Sequence, residues 1–166
     1  MPVHLDGARI FNAAVALNVS ADTLTRDVDS VTFCLSKGLG APSGAVLCGR
    51  KDFLSRIPRL VKVHGGSLFT SWPNAAMALY HLQGIDARLQ LVAKKSNELF
   101  SMWKQIPEIQ IKEFPDGTNT RELQVSNRLT LTKFKNSLRE NFITTGVRQP
   151  DGSIRIKVNE TLLLQD

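Results

Sequence analysis

Apolar positions in the first half of the chain switch between the two-residue spacing of strands and the 3.6-residue spacing of helices. Residues 2–5 form a short apolar run that ends at Asp6-Gly7, which predicts a strand stopping at a sheet edge. Ile10, Ala13, Ala14 and Leu17 then recur at i, i+3, i+4 and i+7, a helical stripe. Ser20 suits the N-cap of a short second helix over residues 21–26. Residues 30–35 (Ser-Val-Thr-Phe-Cys-Leu) are β-branched and aromatic, which predicts a buried strand. A loop carrying three glycines and Pro42 follows over residues 36–44. Residues 45–48 resume as a strand and residues 51–63 as a helix of mixed charge. Strands separated by helices predict an α/β sheet that is at least partly parallel.

Gly65-Gly66 breaks this pattern, and a long helical stretch is predicted from about Pro73. Its latter part is strongly amphipathic: Leu89, Val92, Ala93, Ser96, Leu99, Phe100 and Trp103 share one face, with Lys94, Lys95 and Glu98 opposite. Core packing accounts for that stripe. From Pro107 the texture changes to short strands (residues 109–114, 123–125 and 154–158) around one helix over residues 130–141. Turns at Pro115-Asp116-Gly117 and Pro150-Asp151-Gly152 separate them. The expected division is a first domain over residues 1–104 and a small α+β domain over residues 105–166. No internal repeat is present.

Composition narrows the function. With 166 residues, 42% of them hydrophobic, the chain falls in the range of an ordinary globular domain. No apolar run reaches the ~18–20 residues that span a bilayer, and no secretory signal pattern opens the sequence. Cys34 and Cys48 match neither a disulfide framework nor a zinc site, so a reducing, cytoplasmic setting is the expectation. The net charge of +6 is spread along the chain without an arginine-rich block or an aromatic platform. A solvated surface explains it better than nucleic-acid binding.

Three constellations carry candidate chemistry. In His4-Leu5-Asp6-Gly7-Ala8-Arg9 an acid and a base stand three residues apart where a strand gives way to a helix. Asp6 there could serve a cofactor, since α/β sheets place ligands beyond the C-terminal ends of their strands, or could cap the helix. In Cys34-Leu35-Ser36-Lys37-Gly38-Leu39-Gly40-Ala41-Pro42 a lysine directly follows a predicted buried strand. An amine near the core loses its proton readily, as imine chemistry requires. The spacing is not that of a phosphate-binding P-loop. In Gly152-Ser153-Ile154-Arg155-Ile156-Lys157-Val158 an arginine interrupts an apolar strand. It fits a carboxylate-binding fork or a charge guarding an edge strand.

Taken in order, these blocks, with Asp27-Val28-Asp29-Ser30-Val31 and Gly44-Ala45-Val46-Leu47-Cys48-Gly49, resemble the L-threonine aldolases, of the β-eliminating-lyase group of fold-type I pyridoxal-phosphate (PLP) enzymes. The resemblance is close over residues 3–66 and looser but in register beyond. It implies an α/β architecture: the C-terminal part of a mostly parallel PLP-binding large domain, then the small α+β domain. It also implies PLP as cofactor, Lys37 as the lysine that binds it covalently, and Asp6 as the partner of its pyridine nitrogen. Arg9 and Arg155 are implied as holders of the substrate carboxylate.

The reaction implied is cleavage of the Cα–Cβ bond of a β-hydroxy amino acid, threonine giving glycine and acetaldehyde. The partners implied are an amino acid substrate and further copies in a dimer or tetramer. In this family the part before His-Leu-Asp-Gly-Ala-Arg supplies the phosphate cup, so the chain is expected to be one half of a larger enzyme. A noncatalytic, aldolase-derived interaction module is the rival expectation. The segment His64-Gly65-Gly66-Ser67-Leu68-Phe69-Thr70-Ser71-Trp72 departs from the Gly-Gly-Gly-Met-Arg-Gln type of the family. The departure bears on substrate identity, a bulkier β-hydroxy amino acid or another PLP-dependent lyase reaction being the alternatives, and His64 is either a catalytic or a packing residue.

Overall fold

The computed structural model describes residues 1–115, 117–126, 128–141, 143 and 151–164. It divides into two compact units, Met1–Ala87 and Arg88–Asp166.

The first unit is built on a three-stranded sheet of order β1-β2-β3: β1 (His4–Asp6), β2 (Ser30–Cys34) and β3 (Ala45–Gly49). The helices α1 (Ile10–Leu17) and α2 (Ala21–Thr25) carry the chain from β1 back to the start of β2. The two strands therefore run parallel, with His4 opposite Ser30 and Asp6 opposite Thr32. Between β2 and β3 there is only a loop, so that pair is antiparallel, with Cys34 opposite Ala45. Asn18 ends α1 in the left-handed region at φ 53°, and Val19 N donates to Ala14 O at 3.0 Å. Asparagine tolerates that conformation better than most residues.

Two predicted helices are divided in the structure. The stretch over residues 51–63 forms α3 (Lys51–Leu54) and α4 (Ile57–Val63). Pro58 sits in the first turn of α4, where its missing N–H and fixed φ begin a helix but do not continue one. The stretch from Pro73 becomes α5 (Trp72–Leu82) and α6 (Ile85–Trp103), parted where Gln83 turns extended and Gly84 takes φ 65°. On α6 the predicted face is borne out: Leu89, Val92, Ser96 and Phe100 are buried, and Ala93, Leu99 and Trp103 half-buried.

The second unit holds an antiparallel sheet of order β4-β5-β6: β4 (Ile109–Glu113), β5 (Thr120–Val125) and β6 (Ile154–Lys157). One face packs beneath α6 and α7 (Arg128–Glu140). There Ile109, Leu123, Leu131 and Ile154 form a buried cluster against Trp103, Ile111, Val125, Phe134 and Ile156. A short 3-10 helix, Glu160–Leu163, follows β6 and was not legible as an element. Asp116 and Pro150, in the two predicted turns, lie outside the described residues. No described helix is long and apolar enough to cross a membrane.

Candidate active site

Parallel pairing brings the C-terminal ends of β1 and β2 to one edge of the first sheet, the edge where α/β folds collect ligands. Asp6 is the last residue of β1, and Lys37 comes three residues after the end of β2. Gly7 fastens the two ends together, its N–H donating to Thr32 O at 2.8 Å. A Cβ at Gly7 would stand 2.9 Å from Val31 Cγ2 and 3.3 Å from Thr32 O, so the glycine of His-Leu-Asp-Gly-Ala-Arg is a steric requirement. Asp6 is exposed, and its Oδ1 accepts from Ala8 N at 3.2 Å. That bond closes a tight turn ahead of α1. The N-cap position itself belongs to the half-buried Arg9, so Asp6 is not the helix cap.

Two residues of these blocks have roles the sequence reading did not assign. Over the first strand pair, His4 Nδ1 lies 2.9 Å from Ser30 Oγ and His4 Nε2 lies 3.4 Å from Thr32 Oγ1. Its ring thus ties together β1 and β2 on the face that Asp6 shares, two residues along the strand. Asp29 does the same at the opposite end, its carboxylate accepting from Val3 N at 2.8 Å while its own N–H donates to Val3 O at 2.9 Å. The available signal was the period-2 placement of His4 with Asp6 and of Ser30 with Thr32.

The loop after β2 folds back on itself. Leu35 N donates to Gly44 O at 2.9 Å and Ala41 N to Leu35 O at 3.3 Å. Leu35, Leu39 and Ala41 are buried and anchor the loop, while Ser36 and Lys37 are exposed. This corrects the expectation of an amine near the core: the apolar anchors take the interior and leave the lysine facing outward. The glycines permit the fold-back, with φ of 104° at Gly38, 68° at Gly40 and 107° at Gly44.

Arg155 belongs to the second unit, whereas Asp6, Arg9 and Lys37 share the first. It is exposed on β6, an edge strand of its sheet, opposite Glu122, which in turn stands opposite Lys112. A cation, an anion and a cation therefore line up across three strands on the sheet face away from the apolar cluster. Glu122 is only 6% exposed there. Beside this row Asp151 accepts from both Ser153 N and Ser153 Oγ, and these bonds hold its carboxyl below the usual carboxylate range.

An acid and a lysine thus stand at one end of parallel strands in an α/β sheet, the end where proteins of that class collect ligands. The chain belongs to the beta-eliminating lyase family, whose model matches residues 1–127. It is similar to low-specificity L-threonine aldolase 1 of Arabidopsis thaliana, 35% identical over 166 residues that make up 99% of this chain and 46% of the plant protein. It is also similar to the low specificity L-threonine aldolase of Escherichia coli K12, 46% identical over 90 residues, 54% of this chain and 27% of that one. Among solved structures, an Exiguobacterium protein provisionally assigned as an aromatic amino acid beta-eliminating lyase/threonine aldolase superposes with a TM-score of 0.82. The identity is 22%, over 100% of this chain and 49% of that one, so the likeness is one of fold. The chain spans about half the length of such relatives.

Proposed function

We propose that this chain is the cofactor-lysine half of a PLP-dependent aldehyde lyase that cleaves the Cα–Cβ bond of a β-hydroxy amino acid, threonine to glycine and acetaldehyde. The observation that carries the reading is the parallel register of β1 and β2, which sets Asp6 and the Lys37 loop at one sheet edge. The residues present fit the cofactor chemically: a carboxylate for a pyridinium and an amine for an aldehyde. When bound, PLP withdraws electrons from the substrate Cα through its protonated ring. Asp6 would pair with the ring nitrogen and keep it protonated, and Lys37 would supply the amine that holds the cofactor. Arg9 in the first unit and Arg155 in the second would each offer a bidentate fork suited to a substrate carboxylate, and such a grip would select which Cα bond breaks.

On this reading residues 1–104 continue a cofactor domain and residues 105–166 form the small domain. The change from a sheet with a helical crossover to an all-antiparallel ladder supports two domains, although the compact units part earlier, between Ala87 and Arg88. The setting proposed is cytoplasmic, with a role in glycine formation. We also propose self-association, supported by the large apolar side chains exposed on α4, α5 and the segment between them, Phe69 (104%) and Trp72 (72%) foremost. The noncatalytic module remains the second reading, favoured by the exposure of Lys37.

An absorbance spectrum of the purified chain with PLP, taken before and after borohydride and repeated with Lys37→Ala, separates the two. The expected result is a band that reduction fixes covalently on Lys37 and that the substitution abolishes. A spectrum unchanged by Lys37→Ala would remove the enzyme reading for this chain and leave the module.

A further inference from the structure

We infer that His81 is a positioning residue for Lys37, acting through the backbone of the glycine loop; this rests on the reading of Lys37 as the cofactor lysine. On α5, Asn74, Ala78 and His81 recur at i, i+4 and i+7 and so share one helix face. That face meets the loop over residues 36–44. At one end Asn74 Nδ2 donates to Ser43 Oγ at 3.0 Å. In the middle Ala78 is buried.

At the other end the His81 ring stands against one side of Gly40, the third residue after Lys37, which is otherwise exposed. A Cβ built on Gly40 would lie 2.5 Å from His81 Cδ2, 2.8 Å from Nε2 and 3.2 Å from Cγ. Gly40 itself is held at φ 68° between two buried anchors, Leu39 at 1% and Ala41 at 5% exposure. Tyr80 meets the His81 ring edge-on, with centroids 5.3 Å apart and planes at 86°.

The mechanics follow from these contacts. Leu39 and Ala41 fix where the loop enters the interior, but a glycine between them has the widest choice of backbone angles in the sequence. A rigid planar ring against that glycine removes the choice. Two residues, Gly38 and the anchored Leu39, separate Gly40 from Lys37, so a change of angle at Gly40 that unseats Leu39 redirects the amine. An alanine at residue 81 keeps the helix, which alanine favours, and leaves Gly40 free to turn. A phenylalanine there restores the planar surface without imidazole chemistry.

The test uses the full 166-residue chain and three variants: His81→Ala, His81→Phe and the pair Gly40→Ala with His81→Ala. Two measurements are made on each. The first is the fraction of borohydride-fixed PLP found on Lys37 relative to all other lysines, by peptide mapping. The second needs no cofactor: hydrogen exchange of the amides of residues 36–44, together with trace acetylation of Lys37 against the other lysines. Positioning predicts that His81→Ala lowers the Lys37 share on the order of tenfold, within the hundredfold that a misplacement of ~1 Å can cost. It also predicts faster loop exchange, unchanged exchange in β2, and return of both readouts in His81→Phe. The paired variant adds an alanine strained at the left-handed Gly40 position, so it should disturb the loop at least as much as His81→Ala.

Absence of any Lys37-fixed PLP in the unsubstituted chain overturns the cofactor reading, and with it the positioning of a cofactor lysine. If PLP fixes to Lys37 equally in His81→Ala while loop exchange and acetylation stay unchanged, the cofactor reading stands and the role of His81 falls. Faster exchange throughout β2 as well as the loop would also overturn it, because His81 would then be supporting the unit at large.

Discussion

The two units solve the problem of burying apolar surface differently. The second closes a core of its own: Leu123 and Ile154 are almost wholly sealed beneath α6 and α7, with Trp103 edge-on to Phe134. The first buries Ile10, Ala14, Val31, Leu35, Leu39 and Ala41 around its sheet and glycine loop but leaves Val63, Phe69, Trp72 and Tyr80 largely exposed. Both use a three-stranded sheet, so strand number does not make the difference. The second sheet gathers its large apolar residues on one face through strict alternation. The first spends its interior on small and mid-sized residues that hold a functional loop. The second unit should therefore behave as a self-supporting fold, and the first as a scaffold with surface to spare.

The largest effect expected from this contrast is Leu123→Ala. Removing a sealed leucine from the core of the second unit should cost ~2–5 kcal/mol, read as a lower urea midpoint. A loss below ~1 kcal/mol would break the comparison. Next comes Gly40→Ala in the first unit, at ~1–3 kcal/mol, because the left-handed backbone and the His81 ring both oppose a Cβ. Gly84→Ala is its control: φ is similarly positive, but nothing lies within 4 Å of the new methyl. The excess of the first loss over the second sharpens the picture of the loop as clamped.

A smaller effect belongs to Lys104 and Glu113, paired at 3.0 Å in the second unit. The Lys104 hydrogen bond, and then its charge, hold the Glu113 carboxyl below its ordinary value of 4.5. A depressed carboxylate stabilises the fold above that value and loses the contribution as pH falls through the folded-state titration. Lys104→Met should thus cost a few tenths of a kcal/mol at neutral pH, ~0.2–1 for an exposed pair, and nothing in strong acid. Smallest of all, Phe69→Ser with Trp72→Ser should leave the stability of the isolated chain within ~0.5 kcal/mol, the ordinary range for surface changes. The same pair should reduce association measured by sedimentation. Unchanged association would move the interface off this stretch.

Several elements were legible because the physics that makes them is local. The apolar spacing of α1 and α6 and the β-branched run of β2 depend on neighbours in sequence, and each was found within a few residues of its observed bounds. Helix interruptions were less visible. Pro58 and Gly84 stood in plain view, yet whether such a residue bends, ends or merely weakens a helix depends on what its surroundings can compensate. The site divides in the same way. The sequence put Asp6 at a strand end and Lys37 in a glycine loop, and both stand there. It placed the lysine near the core, and the structure sets it outside, because Leu35, Leu39 and Ala41 compete for the same interior.

By itself, then, the sequence determined the family and most of the elements, though not where two helices divide: ordered blocks and periodic apolar positions are properties of the chain. Only the tertiary structure decided that β1 and β2 run parallel in the register that joins Asp6 to Thr32, that Glu122 is buried between Lys112 and Arg155, and that His81 rests on Gly40. Each of these joins residues far apart along the chain, and no local preference specifies such a meeting. It arises when sheet pairing and helix packing bury apolar surface together, and the polar groups take the positions that remain.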